Sequence, residues 1–269
     1  MFDTIGVRHQ FWRKDSRPPE RLFAGCEESE RSCQNRTVFS RSARVYDAVY
    51  SYKDYAAEAD RFHGVIQERS PGAATLLDIA CGTGKHLEEF RRWYAVEGVD
   101  LDEGLLDVAR ERLPDVPLHL ADMCSFALAR KFDAVTCLFS AIGYAGTVER
   151  LGRAIAAMAA HLNPAGVLLV EPWHTPEAWQ VGRFDLRTID EPELKIARMT
   201  QCGLEGRLAV MEFFYLVGRP QGIETFTERH EIALFTDAEY REAFHNAGLV
   251  VERDEEGLIG RGLYIACWP

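Results

Sequence analysis

The stretch TLLDIACGTGK, residues 75–85, decides the fold. A short apolar run ends in Ala80 and Cys81, turns through Gly82, Thr83 and Gly84, and opens at Lys85 into an amphipathic pattern that reads as a helix to about Tyr94. This is a strand, a glycine loop and a helix. Outward from it the alternation continues: AVEGVDL (95–101) is a second strand, 103–113 a helix, 117–120 a third strand, FDAVTCLF (132–139) a fourth, 147–162 an Ala-rich helix and GVLLVE (166–171) a fifth. Strands separated by helices imply a parallel sheet covered on both faces. Upstream, helical spacing over 55–67 runs into Ser70, Pro71 and Gly72, which end it.

After Pro172 the pattern changes. Residues 194–202, 208–217 and 224–234 are strand-like with no helix between them, which predicts an antiparallel β insertion. The α/β pattern resumes at Thr236, which can form a capping box with Glu239, and Gly248 closes that helix. Two last strands, 249–253 and 262–268, pair as a hairpin around Gly257 and Gly260. The expected architecture is α/β, a doubly wound, seven-stranded, mostly parallel Rossmann-like sheet with a C-terminal antiparallel hairpin and the insertion after its fifth strand. Four regions follow: a flexible extension over 1–42, a ligand-binding core with an N-terminal lid over 43–171, the insertion over 172–234, and the end of the core over 235–269.

The 269 residues are 47% hydrophobic and carry a net charge of −11, which disfavours nucleic acid as a partner because a polyanion would need a local basic patch. Residues 1–45 hold nine basic and six acidic side chains without helical or strand periodicity. No run approaches the ~18 apolar residues of a membrane helix, and 1–14 lack a signal-peptide core, so a cytoplasmic location with no membrane partner is expected. Seven cysteines form no C-x-x-C pair, so reduced thiols are expected, with no disulfide framework and no zinc or other metal site.

The glycine loop discriminates among ligands. A dinucleotide site wants a third glycine three residues after the second, where this chain has Leu87, and a phosphate-binding G-x-x-x-x-G-K-[ST] loop fails because His86 follows Lys85. A ligand with a cationic amine and a sulfonium instead favours an acid at the loop's mouth, where Asp78 stands. S-adenosylmethionine fits. Asp100, ending the second strand, can accept from both ribose hydroxyls, and Asp122, after the third, can hold the adenine amine. Each could alternatively be a helix cap or a surface acid.

The set LLDIACGTG, GVDL, ADM and FDAVTCLFSAIG resembles the class I S-adenosylmethionine-dependent methyltransferases over about residues 46–269. KDYAAEA (53–59), CLFSAIG, VEPWH (170–174), IALF (232–235) and GRGL (260–263) are further similar to the antibiotic-sugar N,N-dimethyltransferases, which act on nucleotide-linked 3-amino-deoxysugars. The resemblance implies that Ala80, Gly82 and Gly84 back onto the methionine part, Asp100 and Leu101 hold the ribose, and Asp122 and Met123 border the adenine. It also implies that Leu138 and Ser140 line the methyl channel and that Tyr46, Tyr50 and Tyr55 form a lid, with Tyr50 toward the acceptor. One departure matters: where several such relatives carry His after SSIG, this chain has Tyr144, so an imidazole base there does not transfer.

Transfer of a methyl group from sulfonium to an amine needs positioning above all. Glu171 or Tyr144 could accept the amine's proton, or could be a cap and a packed ring. Trp173 and His174, after the fifth strand, could stack on a sugar or base, or anchor the insertion. Arg261, between two glycines, could offer a fork to a pyrophosphate, or be a surface arginine. The expected partner is a small-molecule acceptor, with a homodimer left open. Against the amino-sugar acceptor stand another small amine or hydroxyl, and a module that binds S-adenosylmethionine without catalysis.

Overall fold

A helix start needs something to satisfy its first N–H groups, and four of the helices carry it in sequence. Asp54 accepts from Ala57 N, Asp102 from Leu105 N and Thr147 from Arg150 N, and Thr236 and Glu239 form the expected reciprocal box. The computed structural model describes residues 39, 41–258 and 260–269. Most of the expected extension, with Cys26 and Cys33, lies outside the described residues. The helices are α1 (Tyr46–Val49), α2 (Tyr55–Arg69), α3 (Lys85–Phe90), α4 (Glu103–Arg112), α5 (Val148–Ala160) and α6 (Asp237–Asn246). On α5 the buried face is Leu151, Ala154, Ile155, Met158 and Ala159, a 3.6-residue stripe.

The main sheet contains β1 (Thr75–Ile79), β2 (Ala95–Asp100), β3 (Leu118–Leu120), β4 (Phe132–Cys137), β5 (Leu162–Val170), β10 (Val250–Asp254) and β11 (Leu263–Cys267), in the order β10-β11-β5-β4-β1-β2-β3. All neighbours are parallel except β11, which pairs antiparallel with both β5 and β10. The winding reverses between β1 and β4, so their carboxyl ends open the crevice where such sheets bind ligands. The fifth strand starts earlier than expected, at Leu162.

The insertion is a second sheet of four strands, β6 (Phe184–Asp190), β7 (Lys195–Glu205), β8 (Leu208–Arg219) and β9 (Gly222–Ala233), each antiparallel to the next. The reading expected three. β6 escaped because none of its seven residues is buried, five being exposed and two half-buried, so no apolar period marks it. The other strands alternate over most of their length, and their inner faces bury Ile196, Phe213, Tyr215, Val217 and Phe226 against Val45 and against Val49, the last residue of α1. The end of the expected extension is also anchored: Phe39 N donates to Asp102 Oδ2, and Arg41 N and Ser42 N donate to Glu228 Oε1.

Candidate active site

The loop after β1 holds three left-handed positions at every second residue, Ala80 (φ 57°), Gly82 (57°) and Gly84 (75°). A Cβ on Gly84 would meet Leu113 at 3.0 Å, whereas Gly82 faces open space. The loop therefore packs on one side and presents bare backbone on the other. Asp78 ends beneath it, 2% exposed, with Thr136 Oγ1 donating to its Oδ1 at 2.7 Å. Asp100 accepts from Gly82 N and Asp102 N, each at 2.8 Å, and so ties the first loop to the second.

Burial makes both carboxyls keep their protons above the ordinary carboxylate range. Desolvation raises Asp78 to about 7, assisted by repulsion from Asp100, and desolvation raises Asp100 itself to about 6. Among the described residues no cationic side chain pairs with Asp78 or Asp100 at ion-pair distance, so these acids lack a positive partner. A ligand bringing an amine and a sulfonium to the open face of Gly82 supplies one, so the residues present fit S-adenosylmethionine. Asp122 is more committed than expected: its Oδ1 accepts from Cys124 N at 2.8 Å, and Arg150 reaches both oxygens at 3.2 and 2.9 Å. A carboxylate offers about four lone-pair positions, which leaves room for one adenine contact. Leu101 and Met123 lie beside these acids in the chain, and both are half-buried.

The expected lid tyrosines gather over this crevice. Tyr46 lies 4.6 Å from Tyr50 between ring centroids, Tyr50 lies 5.3 Å from Phe139, and Tyr55 lies 4.9 Å from His86. The helix α1, which carries Tyr46 and ends at Tyr50, is latched to the glycine loop by residues that the sequence reading missed. Thr83 Oγ1 donates to Asp47 Oδ1 at 2.6 Å, and Arg112 bonds both the Asp47 carboxylate and the Thr83 carbonyl.

Facing the lid, the loop after β4 is strained: Phe139 (φ 51°) and Ser140 (62°) are both left-handed without being glycine, at a cost of ~1–3 kcal/mol each. Three bonds hold it. Phe139 N donates to Glu171 Oε2 at 2.5 Å, Ser140 Oγ donates to the Pro172 carbonyl at 2.7 Å, and Arg261 Nη1 donates to Ser140 Oγ at 2.9 Å. Leu138, 4% exposed, precedes them. Burial raises the Glu171 carboxyl, and Lys53, packed over the Phe139 ring at 3.9 Å, offsets part of that.

Arg261 lies over the Trp173 ring at 4.4 Å, and His174 and Trp179 complete that aromatic corner. Among the described residues no carboxylate pairs with Arg261 at ion-pair distance, and burial lowers its pKa. His174 is pushed down to about 4 by burial and by Arg261 and Arg183, so it is neutral near pH 7. Tyr144 stands on the short helix after Ser140, and its hydroxyl meets His230 Nδ1 at 2.7 Å. No reading of the sequence singled out His230. Its signal was the period-2 face of β9, where Glu228 and His230 share the buried side with Phe226 and Ile232.

A family model described as a methyltransferase domain matches residues 76–166. The dTDP-3-amino-3,4,6-trideoxy-alpha-D-glucopyranose N,N-dimethyltransferase of Streptomyces venezuelae is 44% identical over 227 residues, 83% of this chain and 96% of that protein. The dTDP-4-amino-2,3,4,6-tetradeoxy-D-glucose N,N-dimethyltransferase of Saccharopolyspora spinosa is 39% identical, covering 88% of this chain and 97% of that one. Among solved structures, S-adenosylmethionine-bound CalS10, an amino pentose methyltransferase from Micromonospora echinaspora, superposes with a TM-score of 0.76 at 43% identity, over 82% of this chain and 95% of that one. Glycine loop, paired acids, sheet order and these likenesses agree: the chain belongs to the class I S-adenosylmethionine-dependent methyltransferases, in the family of the aminodeoxysugar N,N-dimethyltransferases.

Proposed function

We propose that the chain methylates the amino group of a nucleotide-linked deoxysugar, with Arg261 receiving the diphosphate and the Glu171 to His174 loop beside the reacting nitrogen. The observation that carries this reading is Arg261 itself, a largely buried guanidinium that stacks on Trp173, spends Nη1 on Ser140 and has no carboxylate partner among the described residues. Glu171 acts on it only at a distance, and an arginine in a site without a bonded carboxylate asks for an anion. A diphosphate supplies one, and the relatives are named for dTDP-linked amino sugars.

When bound, S-adenosylmethionine supplies the methyl group on a sulfonium. Asp78 and Asp100 balance its charge, and Asp122 and Met123 border its base. Tyr46 and Tyr55 close over it while Tyr50, Tyr144, Trp173 and His174 wall the acceptor. Glu171, raised by burial, and Tyr144 are the two groups able to accept a hydrogen bond from the amine. The Arg261–Ser140–Pro172 chain fixes the loop that carries Tyr144 and so converts anion binding into alignment.

The test is turnover of a panel of dTDP-linked amino sugars with methyl-labelled S-adenosylmethionine, alongside the same sugars without nucleotide. Methylation of an unrelated amine in preference to every nucleotide-linked sugar would remove the acceptor reading and leave the cofactor intact. For assembly we favour a homodimer through the outer face of the second sheet, where Leu186, Met199 and Phe214 form one exposed apolar row across β6, β7 and β8, with Leu216 beside it. A reducing cytoplasmic setting suits the five described cysteines, all free. Among the described residues no helix is long and apolar enough to cross a membrane.

A further inference from the structure

We propose that His230, delivered by β9 of the insertion, is the base behind Tyr144, so that Glu228, His230 and Tyr144 form a proton relay for the acceptor amine. This rests on the amine-methylation reading above. The loop after β4 carries Tyr144 rather than an imidazole, and β9 brings one within hydrogen-bond reach of the Tyr144 hydroxyl.

The geometry is specific. Tyr144 Oη and His230 Nδ1 are 2.7 Å apart, and His230 Nε2 lies 3.8 Å from Glu228 Oε2. His230 is 1% exposed and wedged between Phe213 (4.6 Å between centroids) and Phe39 (4.8 Å). Gly143 makes the approach possible, because a Cβ there would sit 2.2 Å from Ile232 Cγ2 on β9. Among the described residues, His230 Nε2 and Glu228 Oε2 are buried without a hydrogen-bond partner, while Glu228 Oε1 holds the Ser42 and Arg41 amides. Two buried polar atoms facing each other just beyond hydrogen-bond reach are costly at rest, and the pair improves when His230 gains a proton.

The other charged or titratable groups around this pair are Arg198, which lies over Phe213 and donates to Tyr50 at 3.3 Å, and the phenols of Tyr50 and Tyr215. Burial lowers the pKa of His230, with Glu228 opposing, so the ring is neutral and Nδ1 can accept. Burial raises that of Tyr144, so its hydroxyl stays protonated. The resting tautomer then carries its hydrogen on Nε2 toward Glu228. Tyr144 donates to Nδ1 and turns its lone pairs to the site.

A phenol cannot keep a second proton, but it can pass one on. As an N–H bond of the acceptor breaks, an O–H bond forms at Tyr144, its own O–H breaks, and an N–H bond forms at His230 Nδ1. One proton has moved, and the imidazolium is balanced by the Glu228 carboxylate, which the His230 and Ser42 contacts hold below the ordinary range against the effect of burial. After product leaves, the proton returns through Tyr144 to water. A second methylation at the same nitrogen needs the ammonium deprotonated, which gives the relay its use.

Two measurements test it. With the full chain and no acceptor, 15N shifts of the His230 ring should show a neutral ring protonated on Nε2, and Tyr144→Phe should shift Nδ1. A neutral ring protonated on Nδ1 overturns the relay whatever the acceptor is. With a nucleotide-linked amino sugar, His230→Gln should lower kcat by about 100-fold, with KM within about threefold, and should abolish the acid limb of the kcat profile. Tyr144→Phe should match it, and the double variant should lose little more. Unchanged kcat, a loss confined to KM, or multiplicative losses would overturn the relay. Calorimetry with S-adenosylmethionine checks folding, and if His230→Gln fails it, Tyr144→Phe carries the kinetic test. A wild type inert on every nucleotide-linked sugar would instead strike the acceptor reading and leave the ring measurement to decide the relay.

Discussion

Replacing Asp78 by Asn should make the empty protein more stable at pH 8 and a poorer binder of S-adenosylmethionine, two effects of opposite sign. Asp78 is buried at 2% exposure and holds its proton to about 7, against 3.8 for the ordinary side chain. The folded state therefore binds more protons than the unfolded chain between these limits, and wild-type stability falls as pH rises through that window. At 1.36 kcal/mol per unit the loss reaches about 4 kcal/mol by pH 8. Asn can still accept from Thr136 at its Oδ1, but its new NH2 adds buried donors, at a cost of about 1–3 kcal/mol.

That cost does not vary with pH, whereas the titration does. The stability difference between variant and wild type should thus climb by about 4 kcal/mol from pH 4 to pH 8 and flatten above pH 7, a rise of ~8–16 °C in relative Tm at ~2–4 °C per kcal/mol. Scanning calorimetry on the empty protein across that range reads it. The Kd for S-adenosylmethionine at pH 8 should rise about ten- to hundredfold, the worth of a charged hydrogen bond. A Tm difference independent of pH between 4 and 7, or an unchanged Kd, would refute the claim that Asp78 is a buried carboxyl awaiting a cation.

Because Asp78 and Asp100 must both ionise to meet that cation, S-adenosylmethionine affinity should fall by about tenfold or more between pH 6 and pH 5 and level off above pH 7, as titration calorimetry would show. Arg261→Ala should raise KM for a nucleotide-linked amino sugar about tenfold or more while leaving that for the free amino sugar within about threefold; equal effects would argue against the diphosphate contact. Arg112→Ala unlatches Asp47 and Thr83, and should cost about 1–3 kcal/mol of stability and weaken cofactor binding severalfold by calorimetry. Phe214→Glu, on the exposed row of β8, should shift a dimer to monomer by sedimentation without unfolding the chain.

The main sheet was legible because its parts obey local rules. Buried parallel strands such as β1 and β4 read as continuous apolar runs, Thr236 and Glu239 spelled their own capping box, and Gly82 and Gly84 marked the turn. What stayed hidden depended on distant partners. β6 exists because β7 offers it a ladder from Asp190↔Lys195 to Phe184↔Gln201, and its own residues bury almost nothing. The anchoring of Phe39, Arg41 and Ser42 depends likewise on Asp102 and Glu228, one of them 187 positions from Arg41.

The site divides along the same line. Acids that follow successive strands of a doubly wound sheet share one rim by topology, so Asp78, Asp100 and Asp122 could be placed from order alone. Tyr144 could be placed on that rim too, but its chemistry could not, because a phenol's role is set by whatever stands behind its hydroxyl. That partner comes from β9, 86 residues later. In β9 the run Phe226, Glu228, His230, Ile232 puts an acid and an imidazole where alternation demands apolar side chains. A buried strand face tolerates such residues only when they are paired. The exception to the pattern, rather than the pattern, is what points to the proposed relay in the insertion.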